Sequence, residues 1–118
     1  MNIDFIREYC MSFPGATEEL QWESSLLFKV GGKIFVITGS DNVSENLLSL
    51  KADPEKFEEL MEQRGVMPAP YLARNKWIAI QRSAGVKTSE LKELIRTSYE
   101  LVFGKLPKKI QSSITAGI

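Results

Sequence analysis

The sequence predicts an α+β domain in which helices pack on one face of a single antiparallel sheet. Two β-rich runs, Leu26–Val30 and Lys33–Thr38, are joined by Gly31-Gly32. Two glycines at such a junction favour a tight hairpin because both can adopt positive φ. The remaining segments complete the order helix, strands, helix, strand, helix, and the helices carry apolar stripes that need a sheet face to cover them.

The helices are predicted from apolar residues that recur every three or four positions. Pro14-Gly15 ends the first helix. Asp53-Pro54 begins the second, because proline suits the first helical position, and Gly65 ends it. Gly104 ends the third. We therefore expect helices over about residues 3–13, 54–64 and 89–103.

Two further strands are predicted at Leu47–Lys51 and Trp77–Gln81, where apolar and polar residues alternate. Thr17–Trp22 is either a short strand or the edge of a loop. A proline-rich bend containing Tyr71 precedes Trp77, and both aromatic residues are expected in the core rather than on a stacking surface. One domain should cover residues 1–107, and residues 108–118 should form a flexible tail.

The composition is that of an ordinary globular chain of 118 residues, with 43% hydrophobic and 25% charged residues. Apolar runs are too short for a membrane span, and the N-terminus lacks the apolar region of a secretory signal. The single cysteine, Cys10, fits a reducing compartment. We expect a cytoplasmic monomer that does not contact a membrane.

The absence of histidine excludes several mechanisms. Ser-His-Asp and Cys-His catalysis need an imidazole, and a Cys/His zinc site needs more than one cysteine. Gly31-Gly32-Lys33 lies between two strands, whereas a phosphate-binding loop joins a strand to a helix. We therefore expect a protein that is not an enzyme and that carries neither a cofactor nor a metal ion.

Charge is unevenly distributed although the net charge is zero. Residues 1–63 contain 5 basic and 12 acidic residues, and residues 64–118 contain 10 basic and 3 acidic residues. The asymmetry indicates either a polar interaction surface or two halves that fold against each other.

Basic residues cluster at two places along the predicted sheet. One group flanks the Gly-Gly turn, and the other surrounds the strand that carries Trp77. Lysine and arginine neutralise phosphates without reading sequence, so these positions are the candidate nucleic-acid contacts. The candidates are Lys29, Lys33, Arg74, Lys76, Arg82 and Lys87.

Several segments resemble the MmcQ/YjbR family over roughly residues 5–107. They are Phe13-Pro14-Gly15-Ala16-Thr17-Glu18-Glu19, Phe28-Lys29-Val30, Gly32-Lys33-Ile34-Phe35, Leu50-Lys51-Ala52-Asp53-Pro54, Pro70-Tyr71-Leu72, Asn75-Lys76-Trp77 and Ser98-Tyr99-Glu100-Leu101-Val102. The resemblance implies a CyaY-like (frataxin-like) fold and a double-wing DNA-binding role.

Three functions follow as expectations. The first is weak, phosphate-directed binding of nucleic acid, DNA above all, through the basic hairpin wings. The second is a protein-interaction or adaptor module whose acidic first half meets a basic partner. The third, by analogy with frataxin-like folds, is metal binding through Asp4, Glu8, Glu18 and Glu19.

Overall fold

The computed structural model describes residues 3–21, 25–39, 46–69 and 75–116. Within these ranges the helices are α1 (Ile3–Met11), α2 (Phe57–Met61), α3 (Thr88–Gly104) and α4 (Lys108–Ala116). The strands are β1 (Ala16–Gln21), β2 (Ser25–Val30), β3 (Lys33–Gly39), β4 (Asn46–Lys51), β5 (Val66–Pro68) and β6 (Trp77–Gln81). A short 3-10 turn, Arg82–Ala84, follows β6.

All six strands form one antiparallel sheet in the order β1-β2-β3-β4-β6-β5. The predicted hairpin between β2 and β3 is confirmed, with φ of 57° at Gly31 and 82° at Gly32. Side chains with a Cβ rarely adopt these values, which explains the two glycines. The prediction of a single antiparallel sheet is therefore confirmed.

All four helices contribute to one hydrophobic core on the same face of the sheet, here called the helix face. Leu50 and Ile78 face each other across β4 and β6 and are fully buried there. They share the core with Ile6 of α1, Leu60 of α2 and Ile95 of α3. Ile114 of α4 packs against the same cluster. The helices thus cover one face, as the apolar stripes predict.

A second, smaller cluster lies on the opposite face of the sheet. Trp77 and Ala79 alternate with the core residues Ile78 and Ile80, and they pack with Ala69. Trp77 is only 7% exposed, so the expectation that its indole is buried is confirmed. Tyr71, for which the same was expected, lies outside the described residues.

A β-bulge in β3 interrupts the alternation of side chains between the two faces. Phe28 lies opposite Val36, but its neighbour Lys29 lies opposite Ile34, so Phe35 is an additional residue on β3. Both Phe35 and Val36 belong to the helix-face core, whereas Ile34 packs on the opposite face. A bulge of this kind changes which face the residues beyond it occupy.

Ser98 of α3 bonds to the backbone beside this bulge. Its fully buried hydroxyl donates to the carbonyl oxygen of Phe35 at 2.6 Å and accepts the backbone N–H of Lys51 at 3.0 Å. One side chain therefore satisfies a backbone group on β3 and another on β4, and joins both strands to α3.

The structure corrects the predicted tail and the predicted second helix. Residues 108–116 form α4 rather than a flexible tail, because Ile114 packs on the core and lies against Gly15, which has no side chain to block the approach. The second helix extends only over Phe57–Met61, since Asp53 forms a turn by accepting the N–H of Glu55. Part of the expected bend is the short strand β5.

No helix in the described ranges has the length and apolarity needed to cross a membrane.

Candidate functional site

Strand pairing places three lysines at one end of the sheet. Lys33 begins β3, and Lys51 ends the neighbouring strand β4, which runs in the opposite direction. Lys51 pairs with Trp77 at the start of β6, so Lys76 lies at the same end. Lys105, which follows α3 directly, reaches this end from the helix face. We call Lys33, Lys51, Lys76 and Lys105 the basic end.

The basic end surrounds a pocket of about 270 Å³ between the sheet and the C-terminal end of α3. Its lining is mainly apolar, and its charged residues are three lysines. No carboxylate is among the described residues that line it. The lining residues are Lys33, Ile34, Lys51, Trp77, Val102, Lys105 and Leu106.

Lys51 and Lys105 are close enough to affect each other. Burial lowers the pKa of Lys51 below its ordinary value, and a hydrogen bond and the charge of Lys105 lower it further. Neither lysine forms an ion pair with an acid in the described part of the chain. The two cations therefore repel each other across the pocket, and a bound anion would relieve that repulsion.

The lowered pKa has a defined effect on stability. Between the folded-state pKa of Lys51 and its ordinary value of 10.5, the unfolded chain holds a proton that the folded chain has lost. Stability rises with pH wherever the unfolded state binds more protons, so this group makes folding more favourable as pH increases through that alkaline interval. Below the interval, the protonated Lys51 is a destabilising feature of the folded protein.

Lys29 and Lys76, both predicted contacts, are engaged within the protein. The ammonium of Lys29 forms an ion pair with Glu19 of β1 at 2.5 Å. Lys76 places its ammonium 4.7 Å from the ring centroid of Phe57 and has a positive φ of 64°, and its carbonyl oxygen accepts the N–H of Ala52. Lys76 thus holds the entry to β6 against the β4–α2 connection.

The structure separates the predicted basic residues into two groups. Lys33 and Lys76 belong to the basic end, and Lys29 lies near it on β2, whereas Arg82 and Lys87 follow the last residue of β6 at the opposite end of the sheet. Arg74 lies outside the described residues. Sequence reasoning missed Lys51 and Lys105, which are 54 positions apart. The sequence did contain one signal for them. Lys51 ends a predicted strand and Lys105 follows the end of a predicted helix.

The β2–β3 turn is attached to the C-terminal segment on one side. A Cβ at Gly31 would lie 2.6 Å from Cδ1 of Leu106, so the side chain of Leu106 packs directly on the turn. Gly32 has no atom within 4 Å of the corresponding position. The turn therefore presents only its Gly32 side to an external ligand, unlike a free-standing wing.

The acidic residues proposed as metal ligands are partly engaged elsewhere. Arg7 of α1 holds Glu18 of β1 through two hydrogen bonds, of 2.6 and 3.0 Å, which lower the pKa of that carboxyl. Glu19 pairs with Lys29. Within the described ranges, no three histidine, cysteine or acidic side chains are grouped so as to hold a metal ion.

The fully buried thiol of Cys10 has a pKa raised by burial to about 12, and such a thiol is unreactive.

A groove of about 300 Å³ between α2 and α3 is the alternative site. Lys51 borders this groove as well as the basic pocket. The other charged residues that line the groove are Asp53, Lys56, Glu59, Glu90, Glu93 and Arg96. Charges of both signs are interspersed there, and Glu90 accepts a hydrogen bond from Gln63. This groove does not favour a ligand of one charge, in contrast to the basic pocket.

The fold and the site define a class: a small α+β domain with one antiparallel sheet and a cationic pocket at one sheet end. The family model for YjbR matches residues 11–101, so the chain belongs to the YjbR family, which confirms the resemblance noted in the sequence. It is 30% identical to YbdF of Escherichia coli O157:H7, over 77% of this chain and 75% of that protein. It is 27% identical to YjbR of Escherichia coli K12, over 92% of this chain and 93% of that protein.

Two solved structures share the fold. Protein DR2400 of Deinococcus radiodurans, a DUF419 domain, is 30% identical with a TM-score of 0.84, over 97% of this chain and 88% of that chain. A protein from Pseudomonas syringae has a TM-score of 0.69 at 20% identity, over 86% of this chain and 99% of that chain. At 20% identity, the similarity to the Pseudomonas syringae protein shows only that the two chains share a fold.

Proposed function

We propose that this protein binds nucleic acid through phosphate contacts at its basic end. The observation that carries the proposal is the convergence of Lys33, Lys51 and Lys105 on one pocket without a carboxylate in its described lining. Lysine contacts to phosphate supply affinity and fix orientation, but they do not read sequence. The proposed binding is accordingly weak and similar for different sequences.

The geometry supports contact with only a few phosphates of the nucleic acid. Lys29 is neutralised by Glu19, and Lys76 is directed at Phe57, so three lysines remain for phosphate. Three neutralised phosphates on duplex DNA give a log–log salt slope of about −2.7, which is a loss of about 40-fold between 50 and 200 mM salt. Trp77 is too buried to stack on a base, so the affinity does not include a base-stacking contribution from it.

The test is a salt-titrated binding assay with duplex DNA, single-stranded DNA and RNA. Lys33→Gln, Lys51→Gln and Lys105→Gln should each weaken duplex binding and each flatten the slope by about 0.9. The matched control is Lys92→Gln, which removes the same charge from α3 at a position where the ammonium lies over the ring of Tyr9. Salt-insensitive binding, or equal losses in all four variants, would contradict the proposal.

We further propose that the protein acts without catalysis, as a cytoplasmic monomer with a CyaY-like fold. A buried, unreactive thiol suits a reducing compartment. Helices on one face of an antiparallel sheet support the fold assignment. Size-exclusion chromatography with light scattering tests the monomer, and a mass near 13.3 kDa is expected.

An adaptor function is the second candidate, and strand β1 favours it. This edge strand exposes Leu20, at 58%, beside Glu18 and Glu19. Edge strands offer backbone groups for pairing with another chain, and a basic partner would replace Arg7 and Lys29 as the counter-ions of these acids. Binding of a lysine-rich extended peptide that is lost in Leu20→Lys, with no binding of nucleic acid, would favour the adaptor.

A further inference from the structure

We propose that the basic pocket binds a phosphomonoester, the terminal phosphate of a nucleic-acid strand or of a nucleotide. The inference deepens the proposed function and rests on it in placing phosphate at the basic end. It differs in the chemical group bound, because a phosphate inside a strand is a diester. The residues that carry it are Lys51, Lys105 and Lys33.

Charge matching favours a monoester. Three ammonium groups line one pocket of about 270 Å³, and no carboxylate of the described residues balances them there. A phosphodiester has a single negative charge, whereas a phosphomonoester has about −1.5 to −2 near pH 7 and three acceptor oxygens. A monoester therefore offers one terminal oxygen to each of three lysines and leaves less positive charge unbalanced than a diester does.

The shape of the pocket favours an end of a chain over its middle. The volume is slightly below the range of about 300–1,000 Å³ that encloses a drug-sized ligand, so it suits a phosphate with its sugar. Val102 and Leu106 line it on the helix face, and Ile34 and Trp77 line it on the sheet. A phosphate with one sugar is the end of a chain, whereas a continuing strand adds a further phosphate and needs more room.

Two lysines of the pocket, Lys51 and Lys105, repel each other, and the fold does not require both positive charges to lie side by side. Lys51 is half-buried beside Lys105, and its backbone N–H is fixed by Ser98. Lys33 lies at the pocket rim because the two-residue Gly31-Gly32 turn places it opposite Val30 of the helix-face core. Lys51 and Lys105, which form no ion pair with an acid among the described residues, are therefore arranged for an external anion. Binding of a doubly charged group relieves the repulsion between them.

Trp77 provides a direct reporter, because its indole lines the pocket and the chain has only two tryptophans. In a Trp22→Phe background, Trp77 is the sole indole. Titration with adenosine 5′-monophosphate should change its emission saturably, and adenosine should not. Inorganic phosphate should compete with the nucleotide, because both bring the same charged group to the lysines.

A second assay addresses strand ends. Oligonucleotides of one sequence, labelled internally, are compared with a 5′-phosphate, a 3′-phosphate or hydroxyl groups at both ends. A phosphorylated end should tighten binding by about tenfold, the change that one more charge-assisted hydrogen bond gives. Lys51→Gln and Lys105→Gln should abolish that preference, and Lys92→Gln should retain it. Lys105 is exposed, so its variant keeps the test valid even if Lys51→Gln unfolds.

The outcomes separate the two proposals. Salt-sensitive binding without a preference for phosphorylated ends overturns the inference and leaves the proposed function standing. Nucleotide binding that depends on Lys51 and Lys105, with no binding of oligonucleotides, supports the inference and contradicts the proposed function. A preference that survives in both variants overturns the assignment of the site. Absence of binding by every probe overturns both.

Discussion

Replacing Ser98 with alanine should destabilise the protein far more than the loss of one hydroxyl from its surface. The hydroxyl is fully buried, and it satisfies the carbonyl of Phe35 and the N–H of Lys51 at the same time. Alanine fits the same space but leaves both backbone groups without a partner. A buried group left unsatisfied costs about 1–3 kcal/mol. Lys51 is only half-buried, so water can reach its N–H and the smaller value applies there.

The expected loss of unfolding free energy is therefore about 2–4 kcal/mol. The entropy of unfolding is about 2.1 cal/mol/K per residue, so for a chain of 118 residues this loss lowers Tm by about 8–16 °C. Thermal and urea unfolding followed by far-UV circular dichroism measure both quantities. Ser12→Ala is the matched control, because its hydroxyl also bonds to a backbone carbonyl, that of Tyr9, but at an exposed position.

The control should change stability by less than about 0.5 kcal/mol. If Ser98→Ala is as stable as Ser12→Ala, the two backbone groups do not depend on Ser98, and the reasoning about β3, β4 and α3 fails. The variant should also lose part of any preference for a phosphorylated strand end, because Ser98 fixes the backbone of Lys51. A stability loss with that preference intact would separate the structural role of Ser98 from the binding role of Lys51.

Three other predictions follow from burial and charge. Trp77→Ala should cost about 3–5 kcal/mol in urea unfolding, because the indole is buried; a variant of wild-type stability that has lost affinity for nucleic acid would make Trp77 a stacking platform instead. Cys10 should react with a thiol reagent at pH 8 only as fast as the protein unfolds, because burial raises its pKa to about 12; rapid modification of the native protein would contradict this. Lys105→Gln should raise stability at neutral pH by about 0.2–1 kcal/mol, the scale of exposed charge pairs. That gain should shrink in alkaline solution as Lys51 loses its proton, and a gain independent of pH would assign it to another cause.

The parts of the fold predicted correctly are those with a strong local cause. The positive φ that the Gly31-Gly32 turn requires identifies the β2–β3 hairpin, and the apolar stripe of α3 continues to Gly104. Strand β5 escaped prediction because three residues have no period, and its Pro68 argues against a strand. Its position at the sheet edge explains why the proline is tolerated.

Helix α4 was missed because its composition misleads. Serine, threonine and a nearby glycine predict a coil, and Pro107 is incompatible with the interior of a helix that continues from α3. Proline also favours the beginning of a helix, and the carbonyl of Pro107 accepts the N–H groups of Ile110 and Gln111. Ile110 and Ile114 are four residues apart. This spacing places both on one face of a helix and indicates α4.

The site was harder to predict than the fold, because its lysines come together only through the tertiary structure. Lys33 was predicted from the hairpin, but Lys51 and Lys105 have no local motif that marks them. The predicted group around the Trp77 strand is divided in the structure, since β6 carries Arg82 and Lys87 to the end of the sheet opposite Lys76. A sequence shows which residues are basic, and strand order decides which of them meet.

The bulge in β3 adds a core side chain without setting the side on which the hairpin lysine lies. Lys33 lies opposite Val30, and Ile34 lies opposite Lys29, so the two-residue Gly31-Gly32 turn fixes their faces. Removal of Phe35 would therefore leave Lys33 beside the pocket and would take one of two adjacent aromatic and aliphatic side chains out of the core beneath α3. The additional residue serves the attachment of α3, and a β3 strand shortened by one residue should lose stability before it loses the pocket lysine.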